Sequence, residues 1–111
     1  MSCIFKKIID GEIPCQKVLE NTNCLAFYDI NPQAPIHVLI IPKKEIKDFN
    51  ALDSQTMSEL LAFTHQVVET LGLKEQGYRL ITNVGENGGQ EVAHLHFHLL
   101  GGAKLKWEKL A

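Results

Sequence analysis

Ile4, Phe5, Ile8 and Ile9 flank Lys6 and Lys7, and Gly11 follows, a spacing that predicts a short amphipathic turn or helix over residues 4–10. Residues 16–20 and 24–30 then read as two strands. Asn21-Thr22-Asn23 between them is hairpin chemistry, because asparagine tolerates left-handed turn geometry. Asn31-Pro32-Gln33-Ala34-Pro35 predicts a loop, and the run from Ile36 to Ile41 a third strand bounded by Pro42. Met57, Leu60, Leu61, Thr64, Val67, Val68 and Leu71 fall on one face of a long helix. Asp53 or Ser54 is placed to cap its start, and Gly72 stands where a helix-ending glycine is favoured. Residues 78–84 predict a fourth strand, Gly85 to Gln90 a glycine-rich connection, and residues 92–100 a fifth strand ended by Gly101-Gly102. The order α-β-β-β-α-β-β predicts one α+β domain over residues 1–111, a mainly antiparallel five-stranded sheet with its helices on one side.

The fifth strand carries the chemistry. His94, His96 and His98 alternate with Leu95, Phe97 and Leu99, and successive strand side chains point to opposite faces. Three imidazoles therefore share one face, at about 6.6 Å spacing from a rise of about 3.3 Å per residue. His-x-His on a strand can present two nitrogens to a divalent metal. Three imidazoles can equally serve as nucleophile, acid and orienting partner in group transfer. The plain alternative is a solvated sheet face. Gly85, Gly88 and Gly89 just before the run let the backbone approach a ligand, and successive N–H groups in such turns make a concavity for anions. An anion site beside three histidines points to a phosphate ester or anhydride. A metal site would want further carboxylates, and Glu91 is the nearby one.

Elsewhere, His37 in the third strand can meet the triad across the sheet, whereas His65 falls on the solvent side of the long helix. Asp29 ends an apolar strand, where a carboxylate can accept from a ribose hydroxyl or cap a loop. Lys43, Lys44 and Lys47 read as a solvated charge cluster, and Trp107 as a lone amphipathic anchor for its own domain or a partner chain.

Composition narrows the partners. The 111 residues are 45% hydrophobic and 22% charged, and 11 basic against 13 acidic residues give a net charge of −2, which excludes binding polymeric nucleic acid by bulk charge. A single nucleotide in a small site stays compatible with that charge. The start, from Met1 to Lys7, lacks the apolar stretch of a signal peptide, and no run approaches the ~18 apolar residues needed to cross a bilayer. Cys3, Cys15 and Cys24 are poor material for a disulfide framework and read as small packing residues. These features predict a cytoplasmic protein with reduced thiols and no membrane partner.

The stretch from Gly88 to Leu100 resembles the histidine-triad (HIT) signature H-φ-H-φ-H-φ-φ, with φ hydrophobic, and every position is filled. Cys3-Ile4-Phe5, Ile8, Glu12-Ile13-Pro14, Ala26 to Ile30, Pro32 to Pro35, His37 and Ile41-Pro42-Lys43 resemble its Hint-like branch, so that the likeness covers essentially the whole chain. The resemblance implies a homodimer whose two sheets join into one of ten strands. It implies a purine nucleoside phosphoramidase, cleaving the P–N bond of an adenosine or guanosine 5'-phosphoramidate with no cofactor and no metal. His96 would be the nucleophile, His98 would contact the phosphate, and His94 and His37 would support them. Asn83, Gly89, Gln90 and Glu91 would hold the phosphate and leaving-group side. Asp29 would bind the ribose hydroxyls, with Ile4, Phe5, Ile8, Phe27 and Ile30 around the base. Two other activities stay open: hydrolysis of dinucleoside polyphosphates, as in the Fhit branch, and nucleotide binding or scaffolding with little turnover. The chain departs from the family pattern at Glu91, where many relatives have a serine, and at Lys6, where some bacterial relatives have the second cysteine of a zinc pair.

Overall fold

A computed structural model describes residues 4–107. The elements are α1 (Ile4–Ile9), β1 (Lys17–Glu20), β2 (Cys24–Tyr28), β3 (Ile36–Pro42), a 3-10 turn (Phe49–Ala51), α2 (Ser54–Thr70), β4 (Arg79–Ile81), α3 (Gly85–Gly88) and β5 (Phe97–Gly101). All strand pairs are antiparallel, in the order β1-β2-β3-β5-β4. In the hairpin turn, the Asn21 side-chain oxygen accepts from the amides of Asn23 at 2.9 Å and Cys24 at 2.7 Å. Those bonds are why an asparagine opens this turn.

The long helix is capped by Asp53, whose carboxylate accepts from the Thr56 amide at 2.6 Å. That bond, with Lys44 nearby, holds the Asp53 carboxyl at about 2. Gly72 follows the helix with φ +68, a conformation glycine adopts at no steric cost. The helix meets the sheet one step around from the predicted stripe. Phe63 and Thr56 turn inward with Leu60, Thr64, Val67 and Val68, while Met57 and Leu61 stay 37% and 51% exposed. Both faces of the helix carry apolar residues there, and a periodicity count cannot tell which of them meets the sheet.

The strand β3 is apolar throughout because both of its faces are covered. Val38 and Ile40 pack with α2 through Leu60, Phe63 and Val67. Leu39 and Ile41 pack on the other face with Phe5 and Ile8 of α1. Each such fully buried side chain contributes about 1.5–3 kcal/mol of hydrophobic stabilisation. The expectation of helices on one side is therefore corrected: α1 and α2 lie on opposite faces of the sheet.

Four strands are shorter than predicted, the first only by Gln16. The second ends at Tyr28, just before Asp29, and the fourth covers only Arg79–Ile81. The fifth begins at Phe97, so His94 and His96 precede the ladder and only His98 lies within it. The chain leaves the ladder there because residues 92–96 are bonded elsewhere: the Leu95 amide donates to the Ile46 carbonyl at 2.7 Å. The alternation persists nonetheless, with Leu95, Phe97 and Leu99 on the α2 side. Among the cysteines, Cys24 is fully buried, Cys15 is half-buried, and Cys3 lies outside the described residues. Lys43 and Lys44, read as a solvated cluster, are paired with Glu20 at 2.7 Å and Asp53 at 3.2 Å. The Arg79 guanidinium lies 4.5 Å from the ring centroid of Trp107, which is otherwise 76% exposed.

Candidate functional site

Four histidines converge on the face that α1 partly covers. The His96 and His98 ring centroids lie 5.1 Å apart, and those of His37 and His98 5.2 Å. Antiparallel pairing sets Leu39 opposite His98 and His37 opposite Leu100, which makes His37 the diagonal neighbour of His98 on one face. Their Nε2 and Nδ1 atoms are 3.0 Å apart. The second nitrogen of His37, Nδ1, accepts the Gln33 backbone amide at 3.0 Å. Asp29 stands one residue past β2, and its Oδ2 is 3.5 Å from His37 Nε2.

The other two imidazoles are tied to carbonyl groups. His94 Nε2 lies 2.8 Å from the Pro42 carbonyl, and His96 Nδ1 lies 2.8 Å from the His94 carbonyl. A carbonyl can only accept, so each of those nitrogens carries a proton. In the neutral His96 ring, Nε2 is then a free lone pair. The His96 carbonyl in turn accepts from the Thr82 hydroxyl at 2.8 Å. That bond does the work of the missing ladder, because β4 stops at Ile81, opposite His98.

Burial favours the neutral form of His98, His37 and His94. It pushes His98 down to about 4, helped by the neighbouring His96 and His37 rings and opposed by Asp29. It also lowers His37, against Asp29, and His94, against its bond to Pro42.

Phe5 makes T-shaped contacts with His96 at 5.1 Å, His94 at 6.0 Å and Phe27 at 5.8 Å between ring centroids, and Ile8 is buried in the same cluster. Ile4 and Ile30 do not join it and stand 48% and 98% exposed. Asn83 lies beside the glycine loop, where a Cβ on Gly88 would come within 3.6 Å of its carbonyl carbon. The loop itself forms α3 and closes at Gly89 with φ +77. The Gln90 side chain holds this turn shut: its Nε2 donates to the carbonyls of Lys47 and Val92, and its Oε1 accepts from the Gly85 amide. Glu91 is exposed. Thr82, Gln33 and the Pro42 carbonyl were not singled out from the sequence. Two of them act through backbone atoms, which no residue type advertises.

Asp29, His37 and His98 bring one ligand-type atom each within 4.8 Å of one another. A cation among them would have to displace the His37–His98 hydrogen bond. The neutral rings, the free His96 nitrogen and the adjoining amides instead suit in-line displacement at phosphorus.

The HIT domain family model matches residues 10–105. An uncharacterized HIT-like protein from Helicobacter pylori is 58% identical over 101 residues, covering 91% of this chain and 97% of the relative. The crystal structure of a HIT family hydrolase from Legionella pneumophila aligns with TM-score 0.90 and 49% identity, over 96% of this chain and 97% of that one. A histidine triad nucleotide-binding protein from Candida albicans aligns with TM-score 0.84 and 36% identity, over 99% of this chain and 85% of that one. The match takes in Asp29, His37 and the whole histidine run, and this chain belongs to the HIT, or histidine triad, family.

Proposed function

We propose that the protein hydrolyses purine nucleoside 5'-phosphoramidates at the P–N bond through a covalent nucleotidyl-histidine on His96. The observation that carries this reading is the bond from His96 Nδ1–H to the His94 carbonyl, which leaves Nε2 as the unprotonated nitrogen. The hydrolase and nucleotide-binding descriptions of the Legionella and Candida proteins agree with it.

Nε2 attacks the α-phosphorus in line with the departing nitrogen, whose bond electrons leave with it as it takes up a proton. Water then attacks phosphorus and gives up a proton to solvent, balancing the one taken up by the amine, while the P–Nε2 bond breaks and its electron pair returns to His96. Splitting one displacement into two lowers each barrier, and near neutral pH an imidazole needs no metal to act as nucleophile. His98 faces the phosphate, while His94 and His37 hold the two reacting rings. The turn from Gly85 to Gly89, kept shut by Gln90, and Asn83 beside it form the phosphate wall. Glu91 stands on the leaving-group side, where a carboxylate favours a cationic amine. Asp29 receives the ribose hydroxyls, and Phe5, Ile8 and Phe27 back the base, with Ile4 and Ile30 as its open rim.

The active form is a cytoplasmic homodimer. Strand β4 is a sheet edge, and beside it Met57, Leu61, Tyr78 and Leu80 are exposed around a groove of about 250 Å³ floored by Leu60 and Phe97. A second copy of the chain covers that groove and continues the sheet to ten strands.

Rapid acid-free quenching of full-length protein with adenosine 5'-phosphoramidate, followed by mass spectrometry, tests the reading. A nucleotidyl adduct on His96 is expected, together with a higher kcat/KM for the phosphoramidate than for diadenosine tetraphosphate. An adduct elsewhere, or none during turnover, overturns it.

A further inference from the structure

We propose that the backbone amide of Gln33 is a positioning group that sets the direction of the hydrogen-bond chain running from His37 through His98 to the bound phosphate. The argument starts from a nitrogen that can only accept. His37 Nδ1 receives the Gln33 N–H at 3.0 Å and so carries no proton. The neutral His37 ring then bears its proton on Nε2, the atom 3.0 Å from His98 Nδ1. His98 Nδ1 is in consequence an acceptor, and the proton of the neutral His98 ring sits on Nε2. His98 thus offers an N–H donor.

The sign of that last group matters to an anion. A phosphoryl oxygen is stabilised by an N–H donor and repelled by a nitrogen lone pair. Without the Gln33 amide, the pair can reverse: His98 Nδ1–H would donate to His37 Nε2, and His98 would turn its lone pair toward the phosphate. Asp29 supports the observed sense, since its Oδ2 lies 3.5 Å from the protonated Nε2 of His37.

The loop is built to hold this amide in place. Pro32 and Pro35 have no N–H and fixed φ, so Gln33 and Ala34 supply the only amides between residues 32 and 35. Asp29 Oδ1 accepts the Asn31 amide at 2.8 Å, and the Gln33 side chain donates back to the Asn31 carbonyl at 3.2 Å. One carboxylate therefore fixes the loop and faces the ring that the loop orients.

The inference rests on the proposed phosphorus chemistry for its consequence, but its first test needs no substrate. In full-length protein labelled with ¹⁵N-histidine, NMR at neutral pH is expected to show His37 and His98 both as Nε2–H tautomers. Finding His37 as the Nδ1–H tautomer overturns the proposal. The second test replaces Gln33 by its α-hydroxy-acid analogue, which exchanges the N–H for an ester oxygen and keeps the side chain. His37 should then lose its single tautomer, and the single-turnover rate should fall at least about tenfold with nucleotide affinity little changed. Gln33→Ala, which retains the amide, should keep the wild-type tautomers. An ester variant with unaltered tautomers, or with altered tautomers and an unaltered rate, overturns the proposal. If the unmodified protein shows the expected tautomers yet never cleaves a phosphoramidate, the proposed function fails instead.

Discussion

The Nδ1 atom of His96 lies 2.8 Å from the carbonyl oxygen of His94, its neighbour but one in the chain. In the neutral ring, a backbone carbonyl two residues back fixes the proton on Nδ1 and makes Nε2 the lone pair, with no partner side chain required. Removing the ring should remove chemistry and spare the surrounding walls. His96→Ala is expected to lower kcat by more than about 10³-fold while nucleotide affinity changes little. Single-turnover kinetics and equilibrium titration with AMP measure the two separately, and undiminished turnover would refute the assigned nucleophile.

Thr82 holds the other end of the same residue through its 2.8 Å bond to the His96 carbonyl. Thr82→Val keeps the shape and deletes the donor. The expected result is a loss of about 1 kcal/mol of stability and a kcat reduced about tenfold at near-constant KM. Thr82→Ser, which restores the hydroxyl, should recover most of the rate; a valine variant as fast as wild type would rule the role out.

How far the histidine face was legible depended on which atoms do the holding. Alternation from His94 to Leu99 separates the rings from Leu95, Phe97 and Leu99, which pack on the α2 side although the ladder begins only at Phe97. The same pattern overextended the strand, since nothing in the residue types announces that the Leu95 amide binds Ile46 instead of a strand neighbour. Asp29 and His37 were recognisable from their residue types. The Gln33 amide and the Pro42 carbonyl were not, because every residue but proline has such an amide and every residue such a carbonyl. On the long helix, Met57 and Leu61 match an inward stripe by spacing, yet Phe63 takes the inward place.

The depressed histidines predict how stability follows pH. In the unfolded chain an imidazole titrates near ~6.5. His98 in the folded protein titrates at about 4, and His37 and His94 are also lowered. Between those values the unfolded chain binds more protons, so stability falls as pH drops through the window and is level above it. Asp53, at about 2, titrates below the window. Thermal melts between about pH 7.5 and about pH 4.5 should show a falling Tm, with a shallower fall in His98→Asn. Equal slopes for variant and wild type would remove His98 from the account.

The apolar groove predicts an assembly. Leu61 and Leu80, 51% and 43% exposed, line it from α2 and β4. Placing a charge there leaves it desolvated if a second copy covers the groove, which costs far more than at a free surface. The full chain is expected to sediment as a dimer and Leu61→Glu as a monomer with unchanged circular dichroism. A monomeric wild-type protein at micromolar concentration contradicts the proposed assembly.

Phe5 makes T-shaped ring contacts with Phe27 and with His96 at once. Under the proposed function, that one benzene ring is a shared partition between the nucleobase compartment and the attacking imidazole. A purine seated as proposed would press on that partition and steady the ring behind it, so that recognition and reactivity would be joined by ordinary van der Waals contact. A ribose phosphoramidate without its base should consequently be slow even at saturation, losing kcat together with affinity.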